Sequence, residues 1–155
     1  MKTKTTITEL THDDLVDLFS TALTGSSYLG ADYEESIEYN EDACFEDILA
    51  NILLHEGSIK VTDYYAEGEV YGSLPHEIDE DENVTYFVTY DDIKRGLERA
   101  ADGTFNAGND KWTEQTKRSA RVSFDSFMDE DTCDFDLVRA DILMQIILFD
   151  EIIYG

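Results

Sequence analysis

Several groups of residues in this chain have spacings that chemistry could use, and each is decided by the residue type it lacks. Gly25 and Gly30 carry the glycine spacing of a phosphate-binding loop, in which backbone N–H groups cradle phosphate while a Lys and a Ser or Thr complete the site. Ala31 and Asp32 stand in those two places, and a carboxylate there repels phosphate. Gly25-Ser26-Ser27-Tyr28 also lacks the second glycine with which a strained turn exposes a nucleophilic serine. Asp79, Asp81 and Asn83 copy the first three ligands of a calcium-binding loop, but Val84 occupies the place of the turn glycine and Tyr90 that of the bidentate Glu. His12, His55 and His76 show neither the i, i+4 pairing of a helical zinc site nor a neighbouring cysteine pair. Carboxylate pairs suited to acid and base catalysis lose their diagnostic value in a chain with 36 Asp and Glu. The expectation is a protein with no catalytic residues, no metal and no cofactor.

The acids themselves form the pattern that remains. Against them stand 11 Lys and Arg, giving a formal net charge of -25 and a pI near 4.1. Self-repulsion of that size destabilises a compact state, so such a chain is either screened by salt or puts the charge to use. Its many Ile, Phe and Tyr residues argue against the small-residue core of a salt-adapted protein. Glu34, Glu38, Glu41 and Asp42 fall on one side of a predicted helical stretch, roughly 6 Å apart for each four-residue step. Glu35, Glu46 and Asp47 broaden that patch, and Asp79, Glu80, Asp81 and Glu82 form a second one.

Runs of charge are most often solvated faces. Ordinary solvated helices, however, interleave Lys with Glu at i, i+4, and here residues 5–93 hold 23 acids and one base, Lys60. Residues 94–121 invert the balance, with seven bases against four acids. Proteins that bind duplex nucleic acid do so through Lys- and Arg-lined grooves facing one negative charge per about 1.7 Å of axis. A rigid, carboxylate-dense protein can enter such a groove on the same terms. The expected partner is therefore a basic nucleic-acid-binding protein, and direct binding of nucleic acid is disfavoured. The alternative is a non-enzymatic interaction module, for instance a homodimer. Its acids would serve solubility and its contact would be aromatic, through Tyr28, Tyr33, Tyr39 or Trp112.

The elements that must carry these residues can be read from periodicity. Thr5–Thr8 reads as a short strand, and Thr11 as the cap of a helix with Leu15, Leu18, Phe19 and Ala22 on one face. A second helical stretch is expected from Asp32, and a third over Phe45–Glu56, stopped by Gly57. Ser58–Gly72 reads as a hairpin and Val84–Tyr90 as a further strand, which makes a three-stranded antiparallel sheet. Thr89 or Asp91 caps a helix ending at Asp102-Gly103, and Lys111–Met128 forms another. The segment from Leu137 to Phe149 is apolar nearly all round and should be buried as a central helix against the sheet, with Ile152-Ile153-Tyr154 tucked in behind it.

The fold class expected is α+β, a small antiparallel sheet packed with four to five helices in one domain spanning 1–155. Cys44 and Cys133 make no disulfide framework, and Met1-Lys2-Thr3-Lys4-Thr5-Thr6 leads into no apolar signal region. The longest apolar run, Ile146–Phe149, is far shorter than a membrane span. A cytoplasmic location is the expectation.

Two stretches carry a likeness. Leu10-Thr11-His12-Asp13-Asp14-Leu15 with Thr21-Ala22-Leu23-Thr24-Gly25-Ser26-Ser27-Tyr28 opens the chain, and Asp136 to Gly155, with Ala140-Asp141, Gln145 and Glu151-Ile152-Ile153-Tyr154-Gly155, closes it. In these the chain resembles a group of short acidic proteins carried by phages and integrated elements of Gram-positive bacteria. Leu29 and Asp150 depart from that pattern, where the group has Trp and Gly. The resemblance implies a shared fold and no catalytic role. A mobile-element origin further implies an inhibitor of a host defence protein, a CRISPR effector or a restriction system, acting in the bacterial host cell.

Overall fold

The computed structural model describes residues 4–24, 26–34, 43–129 and 135–154. Its elements run α1 (His12–Ala22), β1 (Leu29–Asp32), α2 (Phe45–Leu54), β2 (Ser58–Asp63), β3 (His76–Ile78), β4 (Val84–Thr89), α3 (Tyr90–Asp102), α4 (Thr113–Met128) and α5 (Leu137–Phe149). The class is α+β, with five helices and one antiparallel sheet among the described residues. The sheet has four strands in the order β1-β2-β4-β3.

Local chemistry sets the helix starts. Thr11 accepts a hydrogen bond from the Asp14 N–H while the Asp14 carboxylate accepts one from the Thr11 N–H, and Thr89 and Asp92 repeat this capping box at α3. Gly103, with φ of 69°, ends α3 in the left-handed conformation that glycine adopts at least cost. Within the sheet, β2 and β4 alternate as half-buried strands must. Ile59, Val61, Val84, Tyr86 and Val88 face inward, and the hydroxyls of the paired Thr62 and Thr85 lie 2.7 Å apart on the other face.

Four expectations are corrected. Residues 5–8 form no strand, because α3 side chains take their backbone donors. The Thr5 N–H is held by both oxygens of Asp102 at 3.0 Å and that of Ile7 by Glu98 at 3.1 Å, so the alternation buries Ile7 without a neighbouring strand. Asp32 ends strand β1 instead of starting a helix, since Leu29–Asp32 pairs with Lys60–Asp63; residues 35–42 lie outside the described residues. Ser58–Gly72 is not a hairpin. The chain turns through Glu67 and Gly68, both at positive φ, and Val70-Tyr71 passes over the end of α5, where Tyr71 packs edge-on against Phe149. The two flanks of β2 are taken by β1 and β4, and His76–Ile78 adds a fourth strand at the far edge.

Finally, α5 is central but does not lie on the sheet. It packs against α1, α3 and α4 and reaches the sheet at its last residue, where the Phe149 and Tyr86 rings meet at 5.5 Å. Contact with α3 is close at Gly96, where a Cβ would fall 2.5 Å from Ile147 Cγ1 and 2.7 Å from its Cα. No helix among the described residues is long and apolar enough to cross a membrane.

The one glutamine of α5 holds the segment that follows. Gln145 is fully buried. Its Oε1 accepts from the Ile153 and Tyr154 N–H groups at 2.8 Å each, and its Nε2 donates to the Tyr154 carbonyl at 2.9 Å and to Asp141 at 2.7 Å. The Tyr154 hydroxyl then donates to the buried Asp63 at 2.7 Å, and Tyr28 donates to Asp141 at 2.6 Å. Burial first, and the adjacent carboxylate second, push both phenols well above their ordinary pKa. Both tyrosines are thereby held as donors, and the arrangement is a clasp between sheet, helix and chain end.

Candidate functional site

Of the first predicted acidic patch, Glu35, Glu38, Glu41 and Asp42 lie outside the described residues. Glu34, Glu46 and Asp47 are described, and each has a partner. Glu34 pairs with Lys60 at 3.1 Å, and that hydrogen bond raises the Lys60 pKa. Glu46 accepts from the Thr24 hydroxyl at 2.8 Å, and Asp47 lies 3.2 Å from His12 Nε2. These acids help join β1 to β2 and α1 to α2.

The second patch is organised differently. Asp79, Glu80, Asp81 and Glu82 make the turn between β3 and β4. A Glu82 N–H to Asp79 carbonyl bond closes a β-turn, and Glu82, at φ of 64°, follows in the left-handed region before Asn83 resumes the strand. The Asp79 carboxylate is the organiser. Its Oδ1 accepts from the Asp81 and Asn83 N–H groups at 2.9 Å each, and its Oδ2 accepts from the Asn83 side-chain amide at 3.1 Å. These bonds, that of the Asn83 N–H foremost, hold the Asp79 carboxyl below its usual pKa. Asp79 and Asn83, two of the three residues that mimic a calcium loop in sequence, thus code a hairpin turn, to which Asp81 contributes its N–H.

A second loop is tied to the first. The Gly68 N–H donates to the Glu82 carbonyl at 2.8 Å, and the Glu69 N–H closes a turn on the Ala66 carbonyl at 2.9 Å, with Glu67 and Gly68 at φ of 50° and 78°. This is the geometry of a type I′ turn, in which a non-glycine first residue is strained. The two loops together bring Glu67, Glu69, Glu77, Asp79, Glu80, Asp81 and Glu82 to one corner of the molecule, all exposed. Among the described residues none of the seven forms an ion pair. Lys60, which feels the charge of Glu77, is bonded to Glu34.

Glu67, Glu69 and Glu77 were not singled out from the sequence, because their proximity to residues 79–82 depends on the Gly68–Glu82 bond and on strand pairing. Of the described residues, Glu34 and the Asp79–Glu82 turn stand apart on the sheet. Glu34 lies beyond the Asp32 end of β1, while the Asp79–Glu82 turn lies beyond the opposite end of the sheet at its other edge. Strand rise and spacing place the two roughly 25 Å apart.

The aromatic candidates divide as well. Tyr28 is buried in the clasp, Tyr33 packs on Phe45 at 5.9 Å, and Tyr39 is outside the described residues. Trp112 is exposed, with the Lys111 ammonium 5.0 Å over its ring. No protein-family model matches the chain, and neither a curated protein nor a solved structure does.

Proposed function

We propose that the protein is a non-catalytic acidic ligand that mimics nucleic acid and blocks the basic groove of a nucleic-acid-handling protein, with the corner formed by Glu67, Glu69, Glu77 and Asp79–Glu82 as its contact. A mobile-element inhibitor of a host defence protein, a CRISPR effector or a restriction system, is the setting this reading favours. The observation that carries it is a turn fixed by its own hydrogen bonds that displays unpaired carboxylates. Strand rise places Glu77 and the four acids of the turn within roughly 12 Å, or one charge per about 2.5 Å, comparable with the one per 1.7 Å of a duplex. Because Asp79 freezes the turn, the charges need not be ordered at the moment of binding, which removes a cost that flexible acidic tails carry.

The test is competition and salt. The immobilised protein should retain basic nucleic-acid-binding proteins at low salt, release them as salt rises, and release them to added duplex DNA, since attraction across an interface is screened within about 10 Å at 0.1 M. The triple variant Glu77→Lys, Glu80→Lys, Asp81→Lys should lose this retention, whereas Glu34→Lys should keep it. Asp79 is left intact because its side chain builds the turn. Partners that survive both high salt and the triple variant would overturn the reading.

A further inference from the structure

The other end of the charge distribution also has a shape. α4 exposes a groove against α5, about 500 Å³, lined by Arg118, Ser119, Val122, Val138, Arg139 and Ile142 among others. Two valines stand open on it, Val122 at 43% and Val138 at 68% exposure. Exposed single apolar residues are ordinary, but two flanking one groove on adjacent helices form a knob beside a hole.

The charges of α4 are ordered along its axis. Arg118, Val122 and Asp125 follow at intervals of four and three residues and so share one helical face, basic before Val122 and acidic after it. Arg118 forms no ion pair or hydrogen bond among the described residues, while Asp125 is held in its own helix by Arg121 at 3.1 Å. From this polarity we infer that the α4–α5 face is a self-association surface, on which a second copy of the chain docks about a two-fold axis with the two α4 helices antiparallel and Val122 near the axis.

Three arguments select that occupant. Antiparallel pairing about Val122 sets Arg118, about 6 Å before the axis, against the partner's Asp125, about 4.5 Å beyond it, a mismatch of only about 1.5 Å. Parallel pairing would set Arg118 against itself. Copies of a chain with net charge -25 repel, and the lining of this groove carries two of its 11 bases, Arg118 and Arg139, and no acid, which lowers the cost of apposition here. The groove also matches an isologous contact, because each copy supplies both the Val138 knob and the hole beside it. A 16-residue helix is about 24 Å long, so the face buries roughly 400–500 Å² per copy, against about 800 Å² for a standard interface. The association is therefore weak and concentration-dependent.

Sedimentation velocity between about 5 and 500 µM should show the 17.6 kDa chain passing to twice that mass. Val138→Glu and Arg118→Glu should each leave it monomeric with unchanged circular dichroism. Asp125→Lys should do the same, yet an equimolar mixture of Arg118→Glu and Asp125→Lys should associate, because only the heterodimer matches both charge contacts. A chain that stays monomeric throughout, or that associates regardless of Val138→Glu, overturns the proposal. Failure of the mixed variants to associate overturns the two-fold arrangement. Association that needs an added acidic peptide would assign the groove to a different partner. None of these outcomes depends on the mimicry reading, whose corner is left intact in every variant.

Discussion

Replacing Gln145 by Leu tests whether the clasp is the principal polar contribution to stability. Leu has nearly the same volume and suits a buried helix, so packing is preserved while four hydrogen bonds disappear. If residues 153–154 stay in place, two backbone N–H groups and a carbonyl are left without partners, at about 1–3 kcal/mol each. If they detach, the burial of Ile152, Ile153 and Tyr154 is lost. Asp63 then keeps only its bond from the Tyr65 N–H at 3.0 Å, having lost the Tyr154 hydroxyl. The first route costs at least about 3 kcal/mol, a large part of the roughly 5–15 kcal/mol that holds a domain of this kind together, and the second forfeits buried apolar surface. Urea unfolding followed by circular dichroism gives the total. Hydrogen exchange at the Ile153 and Tyr154 amides distinguishes the routes, since only detachment exposes them. A loss below about 1 kcal/mol with both amides still protected would refute the assignment of those donors to Gln145.

Glu82→Gly should stabilise the fold by about 0.5 kcal/mol, since glycine relieves the left-handed strain at some cost in unfolded-state entropy, and should also remove a carboxylate from the proposed contact; a thermal melt with the retention assay reads both. Gly96→Ala should destabilise by about 2 kcal/mol despite its better helix propensity, because the methyl group forces α3 away from Ile147; urea unfolding checks it. Tyr28 and Tyr154 have folded pKa values above the unfolded value near 10, so above pH 10 the unfolded state gives up protons first and stability falls as pH rises. The urea midpoint should therefore drop between pH 9.5 and 11, and Tyr154→Phe should flatten that drop.

The parts of this fold that the sequence made legible are those determined within a few residues. Thr11, Thr89 and Gly103 are caps whose partners lie three or four positions away; Thr11 and Gly103 were readable, and Thr89 was one of two candidates, the other being Asp91. Leu29-Gly30-Ala31-Asp32 contains no β-branched residue and becomes a strand only because β2, nearly thirty residues on, offers an edge. Residues 5–8 had the right alternation and the wrong partner, since nothing local says that Asp102 and Glu98 will take their N–H groups. Charge showed the same division. The acidic excess was countable, but that Lys60, the one base in residues 5–93, falls on Glu34 depends on the pairing of β1 with β2, which no local pattern gives. In the sequence Gln145 is singled out only within the closing likeness, and its role depends on a chain reversal at Asp150, whose φ of 58° no local pattern announces.

The position of α5 in the chain governs how the protein can be made. It is sheathed by α1, α3 and α4 yet follows all three, so in a nascent chain leaving the ribosome the helix faces that meet α5 have no partner. Tyr28 is synthesised 113 residues before Asp141, a delay of about 6–23 s at ordinary translation rates. Leu15 and Leu18 of α1, and later Ile93 and Leu97 of α3, are all made before α5 and are buried only in the finished fold. The carboxylates that repel one another in the finished molecule then also repel neighbouring unfinished chains, so the charge that strains the folded state protects the chain before it can fold.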